Sequence, residues 1–336
     1  MIIRLENRPG ITSFASVGGS AEKEGPLGNA LDIFDMDEHF GMKTWEQAES
    51  EMQRRALSVA MKKGNFSDSD IGVIFAGDLM NQCVSSGYGL IGFDIPYVGL
   101  YGACSTCAEG IAMASMTVNA YTDRAAAVTS SHFCSAERQF RYPLEYASQR
   151  APTAQRTVTG SGAFVIEKNK GTVRIEDVML GTSVDSKIND INNMGAAMAV
   201  AASKTLCDYF FESGKDASDF DAIFSGDLGE EGRRLTIELA QSRGYVIGEN
   251  YDDCGLIVYN RRLQDMHSGG SGCGCSALVL AAKILPDIIN GEISDVLFMA
   301  TGALMSTTSV QQGLSIPAIA HIIHLKREKK NGSCDK

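Results

Sequence analysis

Along the chain, short apolar runs alternate with longer stretches in which apolar residues recur every three or four positions, and the alternation happens twice. WEQAESEMQRRALSVAMKK and, much later, AAMAVAASKTLCDYFFES both have helical periodicity. The first leads into SDIGVIFAGDL at 69 to 79 and the second into SDFDAIFSGDL at 218 to 228, with seven of the eleven positions identical. Each copy is a brief apolar run ending in Gly-Asp, which is how a strand buried on both faces reads after a helix. Downstream, CAEGIAMAS at 107 to 115 parallels CSALVLAAK at 275 to 283, and each leads to a further apolar strand, AAAVTSS at 125 to 131 and DVLFMATG at 295 to 302. The second copy carries about twenty extra residues before its glycine-rich turn, read as an inserted surface loop. The pattern predicts two similar α/β halves, 1–170 and 171–336, whose sheets pack on shared central helices, with a pocket where the halves meet at the strand carboxyl ends.

Composition narrows the class. The 336 residues are 44% apolar and 21% charged, with 35 glycines against 7 prolines, a balance that fits a compact, turn-rich body rather than a disordered one. A formal net charge of −11 argues against a nucleic-acid binder, which needs a surplus of Lys and Arg on one face. Only LKREKK at 325 to 330 is locally basic; it reads as a solvated terminus, with contact to anionic lipid headgroups as the alternative. The start, MIIRLENRPG, lacks the apolar core of a signal peptide and no run approaches bilayer length, so the expected location is the cytoplasmic side of the membrane. Nine cysteines, an odd number, then read as reduced and mostly buried thiols.

The candidate chemistry centres on YGACSTCAEG at 101 to 110. Cys104 falls at a predicted helix start, where unpaired N–H groups and the positive helix end favour a thiolate. It reads as a nucleophile, a ligand contact or a small apolar wall residue. Cys107, one turn on, reads as packing. With Cys273 and Cys275 in the corresponding second turn, four thiols invite a zinc reading, but such sites staple small loop-rich units and this chain has a large core of its own. No metal or cofactor is therefore expected. His321 and His324, in AHIIHL, fall on opposite faces of a predicted strand, which removes a metal reading for them. Asp78 and Asp227 end the two repeats and read as helix caps, with calcium ligation as the alternative.

Two resemblances sharpen the expectations. Ala103-Cys104-Ser105-Thr106 resembles the nucleophile turn of the thiolase-like condensing enzymes, and Thr157-Val158-Thr159-Gly160-Ser161-Gly162-Ala163 resembles the glycine-rich strand closing their first half. That likeness implies an α/β fold of duplicated thiolase-like halves in a layered αβαβα sandwich. It implies an acylated cysteine supported by two further side chains, of which His267 would be one. The other histidine is missing: Gly226 and Asp227 occupy its place, and a carboxylate there opposes the charge that condensation develops. The stretches EGPLGNALD at 24 to 32, TWEQAES at 44 to 50, YGACSTCAEG, and SSHFCSAERQFRYPLEY at 130 to 146 are together similar to the stage V sporulation protein AD family, a non-catalytic branch of the fold. This second resemblance implies binding of dipicolinic acid, alone or as its calcium chelate, and partnership with the membrane proteins of the spore dipicolinate channel at the inner membrane. A flat dianion calls for Arg, hydroxyl and N–H donors, so the ligand candidates are Cys104, Thr106, His132, Arg138, Arg141 and His267, with Cys104 and His267 as vestigial catalytic residues. A homodimer is implied as well, the 125 to 131 strand being the candidate edge. The alternative is an acyltransferase of the thiolase or β-ketoacyl synthase type using Cys104.

Overall fold

The computed structural model describes residues 1–140 and 150–328. In chain order the elements used below are β1 (Ile2–Arg4), β2 (Gly10–Gly18), α1 (Trp45–Gly64), β3 (Ile74–Gly77), α2 (Val84–Gly89), β4 (Tyr97–Leu100), α3 (Thr106–Ala120), β5 (Arg124–Ser131), α4 (Phe133–Phe140) and β6 (Gly160–Glu167). The second half supplies β7 (Val173–Met179), α5 (Met194–Ser213), β8 (Ala222–Ser225), α6 (Gly229–Ser242), β9 (Tyr251–Asp253), α7 (Cys273–Asn290), β10 (Asp295–Ala303) and β11 (Pro317–Arg327).

The duplication is structural down to its caps. Thr44 accepts the Gln47 N–H to start α1, and Asn193 accepts the Ala196 N–H to start α5. Asn65 and Gly214 then stop these helices in the left-handed region, at φ 56 and 70°. Each stop is followed by a 3-10 turn closed by a carboxylate, Asp70 accepting the Ser67 N–H and Asp219 accepting the Asp216 N–H, and then by β3 or β8. The repeated Ser-Asp of the sequence is this capped turn.

Each half contributes five strands to the main path of one sheet, and the halves join edge to edge in the order β9-β8-β10-β11-β7-β2-β6-β5-β3-β4, with three short strands, β1 among them, paired off that path. Strands β3 and β8 run parallel to both of their neighbours, which accounts for their unbroken apolar sequences. The join between β2 and β7 is short, with Gly10 opposite Arg174 and Ile11 opposite Val173. Helices α3 and α7 lie between the sheets: α3 touches β3 and β5 but also β10 and β11, while α7 touches β5 and β6. Their buried side chains, including Ile111, Val118, Leu278 and Leu285, share one core cluster with Phe164 and Phe298. Helix α1 covers the outer face of the first sheet, and α5 with α6 covers that of the second. Five layers, helix-sheet-helix-sheet-helix, result.

Several expectations are corrected. The 125 to 131 segment lies inside β5, between β6 and β3, and is no edge; the end strand on that side is β4, with Tyr97 and Val98 exposed. The extra length of the second half is spent largely on a helix, α6, packed against α5, rather than on a loop. The first residues do not stay with their own half, because β1 pairs with β7. Helix α7 is long and apolar enough by composition to cross a membrane, contrary to the sequence reading, but 72% of it is buried inside this fold. Of the basic stretch, residues 325 to 327 continue β11, with Lys326 paired to Asp295, so they are not a frayed terminus.

Candidate functional site

The Cys104 turn is built by crowding. Ala103 sits in the left-handed region at φ 51°, a conformation non-glycine residues adopt only under constraint. The constraint is visible on both sides: a Cβ on Gly102 would lie 2.2 Å from Glu109 Oε2, and one on Gly302 of β10 would lie 2.5 Å from the Gly102 carbonyl. Thr106 staples the turn, its Oγ1 accepting the Gly102 N–H and donating to the Ala103 carbonyl at 2.6 Å. Cys104 is thereby presented at the wall of a cavity of about 240 Å³ between the halves. Leu79, Tyr101 and Phe140 close it from the first half and Met194 and Met305 from the second, while Thr157, Ser271 and Ser306 add hydroxyls.

Beneath the cavity the chemistry is acidic. Asp227, wholly buried in the turn after β8, accepts hydrogen bonds from the Gly272 N–H (2.8 Å), from Thr301 Oγ1 (3.0 Å) and from the Cys104 thiol. Burial raises its carboxyl to about 6 despite these bonds. Asp253 lies behind it, accepting the Leu228 and Gly229 N–H groups and Ser225 Oγ, and burial pushes it to about 7. In the first half, Glu49 of α1 takes Ser130 and Ser135 hydroxyls and is pushed by burial, and then by the charge of Asp78, to about 8. Asp78 accepts the Met80 and Ser86 N–H groups and the Ser86 hydroxyl. Gln53 joins this group to Ser86, Ser130 and the Gly77 carbonyl.

The structure brings few of the expected ligand residues together. Cys104 lines the cavity; Thr106 is buried and acts as the staple described above. His132 is wholly buried away from the cavity wall, one ring nitrogen on the Glu38 carbonyl and the other accepting the Cys134 N–H, with burial lowering its affinity for a proton. Arg138 points outward to an ion pair with Glu46. Arg141 lies outside the described residues. His267, at φ 44°, belongs to a separate outer cleft with Tyr259 and Arg262, while Ser271, four residues on, lines the Cys104 cavity.

The two aspartates divide as well. Asp78 ties down the first turn of α2 through Ser86, as a cap would, whereas Asp227 turns away from α6 to Cys104 and leaves the start of that helix to Asp253. His321 and His324 serve separate environments: the first accepts the Gly181 N–H and the second bridges Asp177 and Asp295. Among the described residues there is no cluster able to hold a metal ion and no disulfide. Cys107 is wholly buried and pushed up to about 12, consistent with packing.

Sequence reasoning missed Ser271, Tyr101 and the Glu49 group. A signal was available for the last: Glu49 and Gln53 interrupt the apolar face Ala48, Met52, Ala56, and polar residues at core positions imply buried partners.

Layered duplicated halves with a cysteine at a helix start on their shared cavity define a protein of the thiolase-like class. Solved structures share the fold: OleA of Xanthomonas campestris with cerulenin bound superposes with a TM-score of 0.61 at 13% identity, covering 96% of this chain and all (100%) of that one. The 3-oxoacyl-[acyl-carrier-protein] synthase III of Aquifex aeolicus VF5 gives 0.56 at 12% identity, covering 95% and 99%. A narrower match is to the stage V sporulation protein AD (SpoVAD) family, whose model covers residues 1–326. The stage V sporulation protein AD of Bacillus subtilis (strain 168) is 41% identical over 318 residues, 94% of each chain. This chain belongs to the stage V sporulation protein AD family.

Proposed function

We propose that this sporulation protein binds dipicolinic acid, pyridine-2,6-dicarboxylate, in the Cys104 cavity and performs no acyl transfer. The observation that carries the reading is the pairing of Cys104 with Asp227. A nucleophilic thiol needs a positive field or a base strong enough to take its proton; Asp227, at about 6, is a weaker base than a thiolate, and its charge lies against the one that thiol would form. What is left of the site is a small, mostly apolar slot with the hydroxyls of Thr157, Ser271 and Ser306 in its lining, suited to a flat aromatic acid. Titration calorimetry with dipicolinate, with picolinate and acetyl coenzyme A as comparators, tests it: saturable binding of the dicarboxylate alone is expected. Acyl transfer from the thioester that disappears in Cys104→Ser would instead establish the enzyme.

In this reading the protein works at the cytoplasmic face of the spore inner membrane, handing dipicolinate, alone or as its calcium chelate, to channel subunits. It does so as a homodimer through β4, whose outer edge is unpaired among the described residues and which leaves Tyr97 and Val98 exposed. Val98→Lys should convert a dimer to a monomer in sedimentation velocity. A wild-type chain already sedimenting as a monomer at tens of micromolar would refute the interface.

A further inference from the structure

Several elements around the base of the Cys104 cavity bring an acid or a thiol to it. Asp227 meets Thr301 on β10, the Gly272 N–H just before α7 and the Cys104 thiol just before α3, and its charge reaches Asp253 at the end of β9. From the first half, Glu49 and Asp78 face Cys273, whose thiol also feels Cys104 and Asp227. Among the described residues, no Lys, Arg or His stands with the groups that act most strongly on Asp227 or Asp253. The walls above are apolar, so charges here interact with little screening.

A dicarboxylate entering this space meets like charge, and like charges held close are relieved by taking up a proton. Glu49, pushed to about 8, already carries one at neutral pH, whereas Asp227, at about 6, is ionised but close to accepting one. We propose that Asp227 sets the charge form the cavity accepts: the dicarboxylate binds together with one proton from solvent, which Asp227 holds beside the Cys104 thiol. The inference rests on the dipicolinate reading above and adds a residue that determines specificity. A dianion is admitted only with its proton, and a monoanion of the same shape has less need of one.

The test is calorimetry of the full chain with dipicolinate at pH 7, in the presence of a chelator and in buffers of different ionisation enthalpy. The dependence of the observed heat on buffer gives the protons taken up per ligand. About one is expected for the wild type, near zero for Asp227→Asn, and the wild-type affinity should fall about tenfold per pH unit above neutrality. Saturable binding with no proton uptake overturns the proposal, and uptake that persists in Asp227→Asn overturns the assignment to that residue. Should the variant not fold, the wild-type proton count and pH slope still decide. Absence of saturable binding at every pH sinks the dipicolinate reading itself, and is distinct from binding without a proton.

Discussion

Chemical denaturation of this protein should show stability falling as pH rises between about 5 and 8, the reverse of ordinary acid unfolding. Carboxyls raised by burial set the sign, Asp78 and Glu109 among them. Burial raises Glu22 to about 7 against its hydrogen bond from Tyr259, and raises Glu49 to about 8, Asp253 to about 7 and Asp227 to about 6. A carboxyl whose folded value exceeds its unfolded one stabilises fully below the unfolded value, and that contribution is lost as pH rises through the folded one. For Glu22 the rise from 4.5 to about 7 corresponds to about 3 kcal/mol, at roughly 1.4 kcal/mol per unit. The opposing groups are His132, lowered by burial, and His321, lowered by burial to about 4: their contribution is complete above 6.5 and is lost as pH falls through their folded values. Two histidines against these carboxyls leave the net slope negative between about 5 and 8. Urea titrations at pH 5.5 and 8 measure the difference, with Glu22→Gln and Glu49→Gln expected to flatten it. Stability that instead climbs with pH over this interval would show that these carboxyls are ionised in the folded state.

The second large effect is expected at His324→Ala, at a cost of about 3–5 kcal/mol. His324 is almost wholly buried between Asp177 (3.2 Å) and Asp295 (2.6 Å), with Tyr209 donating to Asp177 and Lys326 paired to Asp295. Burial alone would favour the neutral ring, but the hydrogen bonds and charges of the two aspartates win and raise its proton affinity. Asp295 answers: burial would raise it, yet His324 and Lys326 hold it at about 2. Truncation leaves two carboxylates facing a void lined by Tyr209 and Phe220. Equilibrium denaturation at pH 6 is the check, and a loss below about 1 kcal/mol would place the triad among pairs of no net worth. Because the folded value of His324 is raised, its contribution is complete below 6.5 and disappears as pH climbs through that raised value, so the variant's deficit should shrink at alkaline pH.

Much of the architecture was legible because it is written in local chemistry. Two helix-strand units with the same Ser-Asp turn and the same Gly-Asp ending can be read without knowing where they lie, since capping and burial on both faces of a strand act over a few residues. The same holds for Cys104 at a helix start and for the loss of a histidine at Gly226-Asp227. The motif likeness at YGACSTCAEG and ERQF was enough to point to the family.

The site was less legible, and the failures share a cause. His132 and Arg138 follow a strand end in sequence, as ligand residues often do, yet the Glu38 carbonyl captures the first and Glu46 the second, partners 94 and 92 positions away. His267 matches a spacing, but the turn that carries it swings into another cleft and Ser271 reaches the cavity. Strand 125 to 131 was expected at an edge because the family likeness implies a dimer paired there; its place in the sheet depends on pairing with β6, whose nearest residue follows it by 29 positions.

By itself, then, the sequence determined the duplicated halves, the caps that start and stop their helices, the turn that presents Cys104 and the family to which the chain belongs, all of which rest on contacts between near neighbours or on motifs of fixed spacing. Only the tertiary structure decided which residues share the cavity, which strand closes the sheet, and that Asp227 meets Cys104 rather than capping its own helix. The physical reason is that these choices are made by burial between the two halves: a side chain's partners there, and the carboxyl protonation that follows, depend on what the other half brings within reach.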